Sequence, residues 1–68
     1  MFRADRLQRL RERRRASRRV MSELCGLSTG AIRKYERGER MPNIMALEAI
    51  ADYLECTTDY LLGRDEES

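Results

Sequence analysis

The stretch Val20 to Gly38, VMSELCGLSTGAIRKYERG, decides how this chain is read. Met21, Leu24 and Cys25 recur at i, i+3 and i+4, which places three apolar side chains on one face of a first short helix. Gly26, directly after the last apolar position, is free to take the left-handed conformation that closes a helix, and Leu27 then folds back onto the apolar face. Ser28 follows as an N-cap whose hydroxyl accepts from the orphan N–H groups of a second helix, Thr29 to Arg37. The inward face of that helix is Ala31, Ile32 and Tyr35; its outward face carries Thr29, Gly30, Arg33, Lys34 and Arg37.

A short helix with a thin apolar stripe and a cationic outer face, held at a sharp angle to its predecessor, is what a DNA-reading helix-turn-helix requires. With Ser17 upstream, the order Ser17, Gly26, Ser28, Ile32, Glu36, Gly38 continues through YERGERMP into ALEAIADYLECTTDYLLG. This pattern resembles the Cro and phage-repressor (XRE-like) type of helix-turn-helix domain over roughly residues 6 to 63, nearly the whole chain. The resemblance implies an all-α, lambda-repressor-like bundle of five helices with the helix-turn-helix formed by helices 2 and 3. It implies a sequence-specific transcriptional regulator, a repressor, reading a palindromic operator in double-stranded DNA through the major groove.

The same resemblance assigns residues. Thr29, Arg33 and Lys34 match positions that touch base edges in the family. Gly30 matches another such position but has no side chain to read with, which leaves close backbone approach or an unread position, and it costs about 1 kcal/mol of helix propensity against alanine. Arg18, Arg37, Arg40 and Asn43, with the backbone around Met41 to Asn43, are the expected phosphate contacts. Relatives often carry glutamine where Arg18 stands. A guanidinium at a helix start is opposed by the helix dipole, so an anion nearby would relieve the conflict. Arg11 and Glu36 match positions that form a partly buried ion pair in relatives.

Charge supports the reading independently. The net charge of +2 hides a segregation: residues 1–40 hold 13 Lys and Arg against 5 Asp and Glu, while residues 41–68 hold 1 against 7. A basic half that contains the reading helix points to a polyanion, and an acidic half to the face turned away from it. A solvated surface explains any single charge, and explains this asymmetry less well.

Sixty-eight residues make one small-cored domain, expected over 1–63 with an acidic, frayed tail over 64–68. Cys25 and Cys56 lack CxxC spacing and there is no histidine, so no metal, cofactor or nucleophile–base pair is expected, and no enzymatic activity. Each cysteine stands where a small apolar residue would serve, so a buried free thiol is preferred over a disulfide or redox switch. No apolar run of membrane-spanning length is present, and a cytoplasmic location without membrane association is expected.

Upstream, Ala4 to about Arg14 reads as helix 1, with Leu7 and Leu10 inward. The run Arg13, Arg14, Arg15 fits an RNA or membrane-surface patch, but Asp5 and Glu12 on the same helix and the dipole at its C-terminal end favour a solvated helix end. Arg15 stands where relatives often have glycine, and Ala16 where they have a large apolar residue. Ser17 caps helix 2, Arg18 to Cys25, and Ser22 is small enough for close helix approach.

Downstream, Pro42 and Asn43 open helix 4, whose stripe of Leu47, Ile50, Ala51 and Leu54 is widened by Met45 and Ala49. Thr57 caps a short helix 5 ending at Gly63. The surface around Cys56, Tyr60 and Leu61 is the expected dimer contact, too small for an obligate interface of roughly 2,000 Å², so a weak homodimer stabilised on DNA is expected. No small-molecule effector site is evident. The competing reading is a protein-interaction module of the same fold, an antitoxin or docking regulator, which has no need of a cationic face on Thr29 to Arg37.

Overall fold

A computed structural model describes residues 1–65 as five helices: α1 (Ala4–Arg13), α2 (Arg18–Leu24), α3 (Ala31–Glu36), α4 (Ile44–Leu54) and α5 (Thr58–Leu62). Three helix starts follow the local chemistry of the chain. Ser17 Oγ accepts from the Val20 N–H at 3.0 Å, Asn43 Oδ1 from Ala46 at 2.8 Å, and Thr57 Oγ1 from Tyr60 at 3.0 Å. Each satisfies one of the orphan donors of a first turn, a contribution of about 1 kcal/mol apiece.

The helix ends share one solution. After α2, the Gly26 N–H donates to Glu23 O and the Leu27 N–H to Ser22 O at 2.8 Å, with Gly26 at φ +71°, so the chain reverses while two orphan carbonyls are satisfied. The same closure follows α1 and α4, but there the left-handed residues are Arg15 and Glu55, both at φ +57°. The backbone at Arg15 thus takes the left-handed conformation that glycine adopts most readily, against the Cβ penalty of that region.

The core is centred on Leu7, Met21, Ile32, Ile50 and Leu61, all fully buried, one from each helix. Ala31, Tyr35, Ala46, Leu47, Ala51 and Leu54 complete it, and Phe2, Leu10, Leu27 and both cysteines pack partly buried against it. Contacts between α1 and α3, α2 and α3, and α4 and α5 close the bundle around this cluster. Among the described residues no helix is long and apolar enough to cross a membrane.

Three expectations about burial are corrected. Leu24 is 66% exposed: the inward face of α2 keeps Met21 and Cys25 but takes Ser22 in place of Leu24, because the small Ser22 is what α3 packs against. Met45 is 80% exposed and Ile44 74%, because the buried stripe of α4 begins at Ala46 and Leu47. Leu61, assigned to a dimer contact, has no exposed surface and is a core residue.

The chain ends are tied to each other. The Arg3 N–H donates to Leu61 O at 2.7 Å, and the buried Arg6 donates to Tyr60 O and to Asp65, with its guanidinium 4.2 Å from the Tyr60 ring centre. The Arg6 hydrogen bond holds the Asp65 carboxyl below its ordinary pKa. The first two residues of the expected frayed tail, Arg64 and Asp65, are therefore engaged with the fold; positions 66–68 lie outside the described residues.

Candidate nucleic-acid interface

The inward and outward faces of α3 divide as expected. Ala31, Ile32 and Tyr35 are buried while Arg33, Lys34 and Arg37 are exposed. The helix start differs. α3 begins at Ala31, two residues later than Thr29, and its N-cap is Gly30 at φ +85° with no side-chain cap; the Ser28 carbonyl, not its hydroxyl, accepts from the Ala31 N–H at 3.0 Å. A glycine at this point lets the chain make one more turn before helix begins, since only a residue without Cβ takes that conformation at little cost. A Cβ built on Gly30 meets nothing within 4 Å, so the constraint is the backbone angle and not space. Thr29 consequently sits exposed in the turn rather than on the helix.

The cap that Ser28 does not supply comes from α2. The Ile32 N–H, an orphan donor in the first turn of α3, reaches Ser22 Oγ at 3.4 Å, and Ser22 is 1% exposed. Sequence reasoning valued Ser22 only for its size. Its hydroxyl adds a hydrogen bond between the two helices of the motif, beside the packing of Met21 and Ile32 in the core, and no local pattern signals a donor ten residues away.

Around the outer face, the cations differ in how they are held. Arg33, Lys34 and Arg40 make no ion pair or side-chain hydrogen bond among the described residues. Arg37 Nε pairs with Glu39 at 2.9 Å, both about half-exposed. Asn43 spends its carbonyl oxygen on the α4 cap, which leaves its amide N–H groups as donors.

Glu36, the last residue of α3, accepts from Arg11 Nε and, at 3.2 Å, from Arg11 Nη2, with side-chain exposures of 4% and 9%. Arg11 Nη1 also donates to Ala16 O at 2.9 Å, so all three of its nitrogens are used. Arg18 Nε donates to the same carboxylate at 3.1 Å. The anion that a guanidinium at the start of α2 calls for is Glu36, which the sequence had paired with Arg11 alone.

Cys25 and Cys56 are free, half-buried thiols, and burial raises the pKa of each. Cys25 points its sulfur at Ala49 O at 3.7 Å. Cys56 and Tyr60 line a shallow groove of about 370 Å³ with Leu10 and Leu54, rimmed by Arg13 and Arg14. Arg14 lies 4.8 Å from the Tyr53 ring centre, and Arg13 is exposed.

A short exposed cationic helix, carried on a buried serine and a glycine turn, has the form of the second helix of a helix-turn-helix. The family model described as a helix-turn-helix domain matches residues 4–62. The chain belongs to that family. Its helix-turn-helix domain is 36% identical over 63 residues to the HTH-type transcriptional regulator AnsR of Bacillus subtilis, covering 93% of this chain and 54% of that protein. It is 37% identical over 60 residues to the cryptic phage CTXphi transcriptional repressor RstR of Vibrio cholerae, covering 84% of this chain and 54% of that protein. The chain thus spans about half the length of the curated relatives it matches. The crystal structure of the P22 c2 repressor in complex with a synthetic operator superposes with a TM-score of 0.82 at 31% identity, over 85% of this chain and 88% of that one. The solution structure of the DNA-binding domain of the same repressor gives a TM-score of 0.82 at 31% identity, over 94% and 84%.

Proposed function

We propose that this helix-turn-helix domain is the DNA-reading part of a sequence-specific, non-catalytic transcriptional regulator, a repressor acting in the cytoplasm on double-stranded DNA. The observation that carries the reading is the exposed cationic face of α3, Arg33 and Lys34, on a fold that superposes on an operator-bound repressor at a TM-score of 0.82. In this reading α3 enters the major groove, with Lys34, Arg33 and Thr29 toward base edges and Gly30 supplying the turn. Arg18, Arg37, Arg40 and the Asn43 amide hold the phosphates on either side.

Binding is proposed to be dimeric on DNA and weak in free solution. Two copies in successive major grooves hold their reading helices about 34 Å apart, which calls for a palindromic operator. With Leu61 withdrawn into the core, the contact first expected there is reduced to Cys56 and Tyr60 at the groove beside Leu10 and Leu54. So small a surface fits association that depends on the DNA.

The interaction-module reading draws on a different observation. Met41, Ile44 and Met45 are 67%, 74% and 80% exposed within five residues, an apolar run that a protein partner would cover. Selection from random duplexes, followed by binding measured against salt, separates the two. A regulator enriches one palindromic sequence and binds it roughly a thousandfold or more above random duplex near 150 mM salt. Absence of any preference there refutes the regulator reading and leaves the interaction module.

A further inference from the structure

Glu36 accepts hydrogen bonds from two arginines at once, and the two are not alike. Arg11 is buried, with 9% of its side chain exposed, and every nitrogen of its guanidinium is engaged; it is a complete counterion for a carboxylate that is itself 4% exposed. Arg18 is half-exposed and touches the same carboxylate through Nε alone. Its Nη1 and Nη2 make no hydrogen bond among the described residues. The other carboxylate in reach is Glu12, 59% exposed and 3.9 Å from Arg11 Nη2, and it is not paired with Arg18. Arg11 is buried against Glu36 while Arg18 is half in solvent, so the positive charge open to a ligand is the one on Arg18.

The guanidinium is planar and rigid, so anchoring Nε–H on a fixed oxygen restrains the plane of the whole group. The two terminal nitrogens are then held together as an end-on fork, the arrangement that takes two oxygens of one phosphate. Glu36 is well placed to be such an anchor: it is buried, it terminates α3, and Arg11 keeps it from moving. We propose that Glu36 is a positioning residue for phosphate binding. Through Arg18 Nε it presents a pre-oriented fork to one backbone phosphate beside the reading helix. The proposal rests on the DNA-binding reading and adds to it a coupling between the buried ion pair and the interface. A long side chain whose freedom is already restricted before binding loses less on contact, which corresponds to roughly two- to tenfold in Kd.

The rival is a simple one: Glu36 consumes the Arg18 charge, and Arg18 contributes to folding and nothing to binding. The probe is a duplex of about 20 base pairs of random sequence, bound across a salt series starting near 50 mM. Under the proposal, Arg18→Gln lowers the slope of log K against log salt by about one contact. Arg18→Lys keeps the charge and the slope but loses about two- to tenfold in affinity, because an ammonium has no fork to align. In an Arg11→Met/Glu36→Leu background, shown to be folded by circular dichroism, the anchor is gone and Arg18→Lys changes affinity no further.

A second readout needs no DNA. Under the proposal the Arg18 Nε–H resonance should be protected from exchange in the wild type and should lose that protection in the double-substituted background. An unchanged salt slope in Arg18→Gln overturns the proposal, as does an equal loss from Arg18→Lys in both backgrounds. Wild-type protein that binds no duplex even at low salt overturns the DNA-binding reading itself, a result distinct from either.

Discussion

Replacing Arg11 with methionine tests how much of this small fold depends on one buried charge. The substitution keeps an unbranched side chain of similar length on α1 but leaves Glu36 with a single partner, Arg18, which is half in solvent. It also withdraws the donor from Ala16 O. Breaking a buried ion pair by removing one member costs roughly 3 to 5 kcal/mol, because the remaining charge keeps its desolvation and loses its compensation. Arg18 still donates at 3.1 Å, which places the expected loss near the lower end, about 3 kcal/mol. A domain of this size has only about 3 to 10 kcal/mol to lose. Each kcal/mol shifts the midpoint by about 4 to 8 °C, so thermal and urea unfolding followed by far-UV circular dichroism should show a drop of about 12 to 24 °C. The companion variant Arg11→Met/Glu36→Leu removes both charges and should recover most of that loss, since an apolar pair in place of a buried ion pair is about neutral or stabilising. A single variant that melts within about 4 °C of wild type refutes the buried-pair argument. A double variant as unstable as the single one would mean that packing, and not a stranded carboxylate, causes the loss.

Other residues give separable outcomes. Lys34→Ala should lose about 1 to 3 kcal/mol on the selected operator and little on random duplex, flattening preference at one base pair; Arg37→Ala should weaken both alike and lower the salt slope by about one. Equal effects on both duplexes from Lys34→Ala would move that residue to the backbone. Glu39→Gln should strengthen binding to random duplex at low salt, because Glu39 holds the Arg37 guanidinium at 2.9 Å and brings a negative charge to the same surface. Its effect on the melting midpoint should stay small, as expected for an exposed pair of about 0 to 1 kcal/mol, and a fall in affinity would argue against the assignment of Arg37. Arg15→Gly should raise stability by about 0.5 to 1 kcal/mol, since it removes the Cβ penalty at φ +57° and gives back part of the gain as unfolded-state entropy. A lower melting midpoint for Arg15→Gly would show that the Arg15 side chain supplies more than the backbone loses.

Much of the fold is legible because its boundaries are written locally. Ser17, Asn43 and Thr57 cap the helices they precede, and Gly26 closes α2, each through hydrogen bonds spanning three to five residues. Such interactions follow from residue type and adjacency, so a single sequence carries them. The Arg11 and Glu36 pairing was reached differently, by resemblance, because nothing in the spacing of 25 residues indicates it. Where only periodicity is available, one position of α2 is misassigned, with Leu24 taken as inward in place of Ser22. Leu24 is more apolar than Ser22, and hydrophobicity alone ranks it inward; what decides the matter is that α3 needs a small neighbour and a hydroxyl for the Ile32 N–H.

The candidate site shows the same division between local and distant causes. Arg33 and Lys34 on the exposed face of α3 follow from the register of Ala31, Ile32 and Tyr35, and the structure places them there. Gly30 was legible as an anomaly: a residue that reads nothing and weakens a helix needs a reason, and the reason is a left-handed turn that delays the helix to Ala31. The case of Arg18 goes one step further. Its position at a helix start, with the dipole against it, was sufficient to call for a nearby anion, but the identity of that anion depends on where α3 ends in space. Glu36 lies there, already neutralised by Arg11, so the charge at Arg18 is held in place without being cancelled. A domain of this size has few residues to assign to stability alone. A carboxylate that anchors the fold through one arginine and aims a second outward lets the same burial serve both ends.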